Sequence, residues 1–201
     1  MAKAIEVLMN EHRLIERVAA SLEAYAGGLP SGAAPERARV AEFAGFFQRY
    51  ADAFHHGKEE DLLFQAMVDR GFPLQGGPLA VMLHEHEVGR AHVRALATIG
   101  EAAGAATPDE AEAFVRHSTS FGPMLRAHIQ KEDGILYPMA LRVLPPSELD
   151  RLADAYAAFE ANALRAGTVD ELLSLGERLV STHPFDPAVL EMAMGGCMAH
   201  G

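Results

Sequence analysis

Two stretches of this chain, HHGKEEDLLF (His55 to Phe64) and HIQKEDGILY (His128 to Tyr137), align at an offset of 73 residues. They share a histidine, a lysine, an acidic pair, a leucine and an aromatic, an agreement hard to ascribe to chance. A weaker alignment at an offset of 74 pairs MNEHRLIER (Met9 to Arg17) with LHEHEVGR (Leu83 to Arg90), and so His12 with His86. The chain therefore reads twice as a segment with one histidine followed by a segment with His-x-x-x-Glu. A fold for such a chain has to accommodate two related pairs of segments.

The segments themselves read as helices. Ala, Leu, Glu, Arg and Met dominate, and runs of β-branched residues are absent. Gly/Pro clusters at Gly27 to Pro35, Gly71 to Pro78, Gly104 to Pro108 and Pro145 to Pro146 delimit helical segments at about 2–26, 36–69, 78–103 and 108–143. Thr107, Pro108 and Glu110 have the spacing of a capping box with proline at the first helical position. Short connections between four such helices predict an all-α, antiparallel up-down four-helix bundle over residues 1–143. Residues 144–201 form a C-terminal extension: two shorter helices near 147–163 and 168–181, the second opened by Thr168 and Glu171, and a Met/Gly-rich tail.

The 201 residues, 49% hydrophobic, are enough to bury one sizeable core. A formal charge of −11 with no basic cluster argues against nucleic acid or an anionic membrane as partner. The start turns acidic at Glu6, too early for a signal peptide, and the lone Cys197 excludes an internal disulfide framework. The expected compartment is the cytoplasm.

Ten histidines are spread along the chain, and four occupy apolar stripes. His12 sits among Ile5, Leu8, Ile15 and Ala19, and His86 among Leu79, Met82, Leu83 and Val93. Residues four apart share a helix face, so His55 with Glu59 and His128 with Glu132 each aim an imidazole and a carboxylate at one spot. Stepping back from His55 by helical turns meets Ala51, Phe47 and Ala44, whereas His56 meets Asp52, Arg49 and Gly45. That wheel turns His55 and Glu59 inward and His56 outward. The stripe around His128 runs through Phe121, Met124, Leu125, Ile135, Leu136 and Met139. A single histidine on an apolar face is ordinarily a satisfied core residue, but four imidazoles and two carboxylates converging in one core are costly to bury without a metal. Imidazole and carboxylate without thiolate fit iron, manganese or zinc, with iron preferred, and two carboxylates able to bridge fit a dinuclear site.

In its order of metal ligands, His12, His55/Glu59, His86 and His128/Glu132, with LLF and ILYP endings, the chain resembles the hemerythrin-like (HHE) family over about residues 1–143. The resemblance implies a di-iron site, oxo- or hydroxo-bridged, that handles O2, nitric oxide or peroxide. Oxygen carriers of that kind have a further histidine one turn after the third-helix histidine, where this chain has Arg90, and use an aspartate at the position of Asp133. The repeat and the helical face favour Glu132 over Asp133. Glu16 and Arg90, each one turn after a site histidine, are expected to pair with one another at the bundle end or to touch the site. His84 and His92 fall off the ligand face, and His117 is expected in the core or behind the ligands. Lys58 and Lys131 are expected in solvent, His56 at the surface, and Tyr50 and Tyr137 as core aromatics.

The leading functional expectation is a di-iron protein that binds or reduces small oxidants. A metal-dependent redox, oxygen or iron sensor, an interaction module, and an iron donor for iron-sulfur cluster repair are the alternatives. The C-terminal helices are the expected face for a homodimer or a protein partner.

Overall fold

A computed structural model describes residues 2–30, 32–165 and 168–194, which are helical with no strand among them. We label the helices α1 (Lys3–Gly28), α2 (37–69), α3 (Gly77–Glu101), α4 (108–143), α5 (Pro146–Arg165), α6 (Thr168–Thr182) and α7 (Ala188–Met194). Among the described residues no helix is long and apolar enough to cross a membrane. Cys197 and His200 of the tail, and the Thr168 side chain of the second expected cap, lie outside the described residues.

The punctuation residues do what their chemistry dictates. Glu110 N–H donates to the Thr107 hydroxyl at 3.3 Å and Thr107 N–H donates to Glu110 Oε2 at 2.7 Å, closing the capping box that opens α4. At the end of α2, Gly71 takes φ +92°, Gly71 N–H donates to Val68 O at 2.8 Å, and Phe72 N–H donates to Met67 O at 3.1 Å. That pair of bonds is a Schellman stop, and the left-handed conformation is why glycine stands there.

α2 and α4 depart from the α-helical period. In α2, Phe47–His56 and Glu59–Phe64 are π-helical, and in α4 Glu132–Leu136 is π-helical. The i→i+5 hydrogen bonds put more residues into a turn, so a wheel drawn at 3.6 residues misassigns faces there. Ile135, expected inside, is 55% exposed, whereas His56, expected at the surface, is buried at 9%.

Two apolar cores lie on either side of a polar belt. One gathers Leu14 to Ala26 of α1, Val40 to Phe54 of α2, Val93 to Ile99 of α3 and Phe114 to Ile129 of α4, covered by Leu172 and Leu179 of α6. The other gathers Ala4 to Leu8, Leu63 to Met67, Leu79 and Met82, and Leu136 to Leu144, covered by Leu149, Leu152 and Tyr156 of α5. Each long helix thus gives one half to each core, and the belt falls where its histidine stands.

The approach of α2 to α3 is close. A Cβ on Gly100 would lie 2.6 Å from the Ala41 backbone nitrogen, which cannot swing away. Gly100→Ala is expected to destabilise the protein by about 1–3 kcal/mol. Gly45→Ala, where a Cβ meets open space, should stabilise it by up to about 1 kcal/mol through helix propensity. Thermal melts of the two variants against wild type check the opposite signs.

Candidate metal centre

The belt is built from one to three residues per helix. His12 comes from α1, His55, His56 and Glu59 from α2, His86 from α3, and His128 and Glu132 from α4; all seven are buried. The structure brings the six residues of the sequence reading together and adds His56. His12, His55, Glu59 and Glu132 offer ligand atoms mutually within 4.8 Å, and so do His56, His86 and His128. The two groups touch: Glu132 Oε2 lies 3.3 Å from His12 Nε2 and 3.2 Å from His128 Nε2. Glu59 Oε2 lies 3.5 Å from His55 Nε2 and 3.6 Å from His86 Nε2. Both carboxylates therefore stand between imidazoles of different helices.

The orientation of the rings is set from behind. His12 Nδ1 meets Asp133 Oδ1 at 2.8 Å, His55 Nδ1 meets Glu11 Oε2 at 2.8 Å, His86 Nδ1 meets Glu60 Oε1 at 2.6 Å, and His128 Nδ1 meets Glu85 Oε2 at 2.9 Å. An ionised carboxylate only accepts, so in each pair the proton belongs on Nδ1, and a neutral ring presents a bare lone pair at Nε2. Behind every one of these carboxylates stands a cation. Arg13 pairs with Asp133, Lys58 with Glu11, Arg90 with Glu60 at 2.7 Å, and Lys131 with Glu85. The same unit, imidazole then carboxylate then cation, occurs four times around one centre.

Inside that ring four donor atoms lack partners. His55 Nε2, Glu59 Oε2 and both oxygens of Glu132 are buried with no hydrogen bond from the described residues. Tyr137 is core, as expected, but its hydroxyl also donates to Glu59 Oε1 at 2.7 Å and fixes that carboxylate. Burial disfavours a charged His12, yet Asp133 and Glu132 hold its pKa up at about 9. His128 is likewise raised to about 10, against burial, by Glu132 and Glu85. Burial and the neighbouring Glu132 push Glu59 up to about 8. Glu132 itself stays well below the usual carboxylate range despite its burial, because His128 and His12 surround it. A buried set of lone pairs and carboxylates that collects positive charge fits metal cations, and the donors are those that hold iron, manganese or zinc.

Several expectations need correction. His56 is not at the surface: its ring stacks on His86 with centroids 3.8 Å apart, and Asp52 Oδ1 lies 3.3 Å from its Nδ1. Burial and the neighbouring His86 bring its pKa down to about 3, so it is a neutral imidazole. His56 thus adds a third imidazole, from α2, beside those of His86 and His128. Lys58 is fully buried rather than solvated; it pairs with Glu11 and, at 3.0 Å, with Glu160 of α5, and lies 3.9 Å from the centre of the Phe54 ring. Glu16 and Arg90 do not pair: Glu16 meets Arg13 at 3.0 Å, and Arg90 meets Asp52, Glu60 and Glu87. His117 is half-buried and faces His92 with Nδ1 atoms 3.1 Å apart, outside both groups, and His84 is exposed. Lys131 is 37% exposed and tied to Glu85.

The sequence reading weighed Asp133 only as a ligand and missed the outer role of all four carboxylates, although a signal exists. Each stands next in sequence to an inward residue, Glu11 before His12, Glu60 after Glu59, Glu85 before His86 and Asp133 after Glu132, and reaches the histidine of a different helix.

The deepest of the outer cations gives a test. Removing Lys58 leaves Glu11 buried beside His55 without a counter-charge, so Lys58→Ala should cost about 3–5 kcal/mol of stability. The Glu11→Ala/Lys58→Ala double variant should lose clearly less than the sum of the two single losses, as denaturant unfolding of the cycle would show.

The family model of the hemerythrin HHE cation binding domain matches residues 3–140. Searches among curated proteins and among solved structures returned no match. The matched span runs through α1–α4 and contains every residue of the polar belt; the chain belongs to the hemerythrin HHE cation-binding domain family.

Proposed function

We propose that this chain is a non-haem di-iron protein that binds or reduces small oxidants, O2, nitric oxide or peroxide, in the cytoplasm. The observation that carries the reading is the ring of four imidazoles, each held by a carboxylate at Nδ1 and aimed by Nε2 at two buried carboxylates, of which Glu59 Oε2 and both Glu132 oxygens lack hydrogen-bond partners among the described residues. His12 and His55 would hold one iron, His86 and His128 the other, with Glu59 and Glu132 shared between them. His56 would supply a fifth imidazole on the side of His86 and His128. Such a pair of irons supplies the electrons and the open coordination position that a small oxidant requires.

The protein's own part is to orient and to keep dry. The four outer carboxylates fix ring tautomer and direction, and Tyr137 holds its proton on Glu59 Oε1. The apolar cores above and below the belt exclude water. We also read the helices as an antiparallel up-down bundle. The halves of successive helices alternate between the two cores, so each helix runs counter to the one before it.

One observation favours a second reading, a sensor. Lys58 joins Glu11, which holds His55, to Glu160 of α5, so a change at the metal reaches the C-terminal helices by direct contact. Hydrogen exchange in α5 should then differ between metal-free and iron-loaded protein; identical exchange would set the sensor aside.

The main reading is tested by iron content and absorption after anaerobic reconstitution with ferrous iron. About two irons per chain are expected, with near-ultraviolet charge-transfer absorption after oxidation. His128→Ala and Glu132→Ala should lose at least one iron and the absorption while keeping the helical circular dichroism. His56→Ala should keep the His12/His55 position and weaken the other. Wild type that takes up no iron would overturn the proposal.

A further inference from the structure

The two ends of the centre differ in what they face. A cavity of about 270 Å³ opens between α2, α3 and α4, with His56, His86 and His128 at its inner end. None of His12, His55, Glu59 or Glu132 lines it. Its walls are mainly apolar, formed by Phe47, Ala51, Val93, Phe121, Met124 and Leu125, with the exposed Gln48 also lining it. The size decides what it suits. One water occupies about 30 Å³ of liquid, and a diatomic or peroxide needs little more, so the cavity is several-fold too large for them.

The wall at Gly89 contributes to that room. A Cβ there would sit 3.6 Å from Met124 Cε and 3.6 Å from Phe121 Cε2, so any longer side chain would project into the space. The charged groups of the lining are already engaged. Arg90 is held by Asp52, Glu60 and Glu87, and Glu85 by His128 and Lys131. Arg94 stands at the exposed rim. What remains inside is an apolar sleeve ending on imidazoles.

We propose that this cavity binds an uncharged organic molecule with a compact apolar body and a single hydroxyl or hydroperoxyl head directed to the His56, His86 and His128 end. The proposal rests on the di-iron reading only for what the head meets there; the fit of the body is a property of the sleeve. The centre would accordingly accept organic ligands in addition to diatomics.

Titration calorimetry with cumyl alcohol, an unreactive aromatic alcohol of this description, tests it on the full chain, iron-loaded and metal-free, with iron measured in every sample. Saturable binding is expected to wild type, weakened at least tenfold in Gly89→Leu. Val93→Phe narrows the same sleeve from another helix position and should weaken binding in the same direction if Gly89→Leu fails to fold. Benzoate, equal in bulk but charged, should bind more weakly than the alcohol. No saturable binding by a wild type that holds about two irons would overturn the cavity proposal and leave the di-iron reading standing. Alcohol binding by a protein that takes up no iron would do the reverse. Binding unchanged in both filled variants, or benzoate bound more tightly than the alcohol, would also overturn it.

Discussion

The hydrogen bond between an imidazole Nδ1 and a carboxylate on another helix is the interaction on which the rest of this structure depends. It occurs four times, and each time the carboxylate is neutralised from outside by an arginine or lysine. Burying so many polar groups is tolerable only because each outer member is paired, while inside the ring His55 Nε2, Glu59 Oε2 and both Glu132 oxygens are left without hydrogen-bond partners among the described residues, a set that suits cations. The belt ties α1 to α2, α1 to α4, α2 to α3 and α3 to α4 through side chains. The four helices are thereby held in one register while the apolar cores close above and below.

The C-terminal helices are part of this arrangement. Tyr156 and Leu152 of α5 pack in the same core as Tyr137, and Glu160 completes the pairing of the buried Lys58. A Cβ on Gly57 would touch the Phe159 ring at 3.0 Å, which explains a glycine between the two metal-facing turns of α2: α5 lies directly against it. α6 is equally close, since a Cβ on Gly176 would meet Phe46 at 2.8 Å. The two cavities of chemistry, the belt and the sleeve beside it, are thus enclosed differently. α5 covers the side near His55, whereas the side near His86 and His128 opens to the apolar space.

Much of this was legible in the residues. Gly/Pro punctuation and a capping box marked helix ends that the structure places within a few residues of expectation, and the 73-residue repeat singled out two His-x-x-x-Glu turns, of which His55 and Glu59 of one bring ligand atoms within 4.8 Å of Glu132 of the other. Glu132 is the buried member of the acidic pair, beside His12 and His128, and Asp133 is turned back onto His12 Nδ1. What escaped was everything that depends on the π-helical turns. Consecutive histidines at 55 and 56 cannot both face inward on an α-helical wheel, but in a wider turn both do, and Ile135 leaves the core for the same reason. The outer carboxylates escaped because they act across helices: an acid beside a histidine in sequence looks like its own surface neighbour until the packing shows it serving another ring.

The central claim is that the Nε2 atoms of His12, His55, His86 and His128, with Glu59 and Glu132, enclose a pair of metal ions. Anomalous diffraction at the iron edge on crystals of the reconstituted protein tests it directly. The account predicts two peaks within the belt, one beside His12 and His55 and one beside His86 and His128, with Nε2 as the facing nitrogen in every ring. Iron at the surface, a ring turned to present Nδ1, or a belt without any anomalous peak in protein that has taken up iron would contradict it.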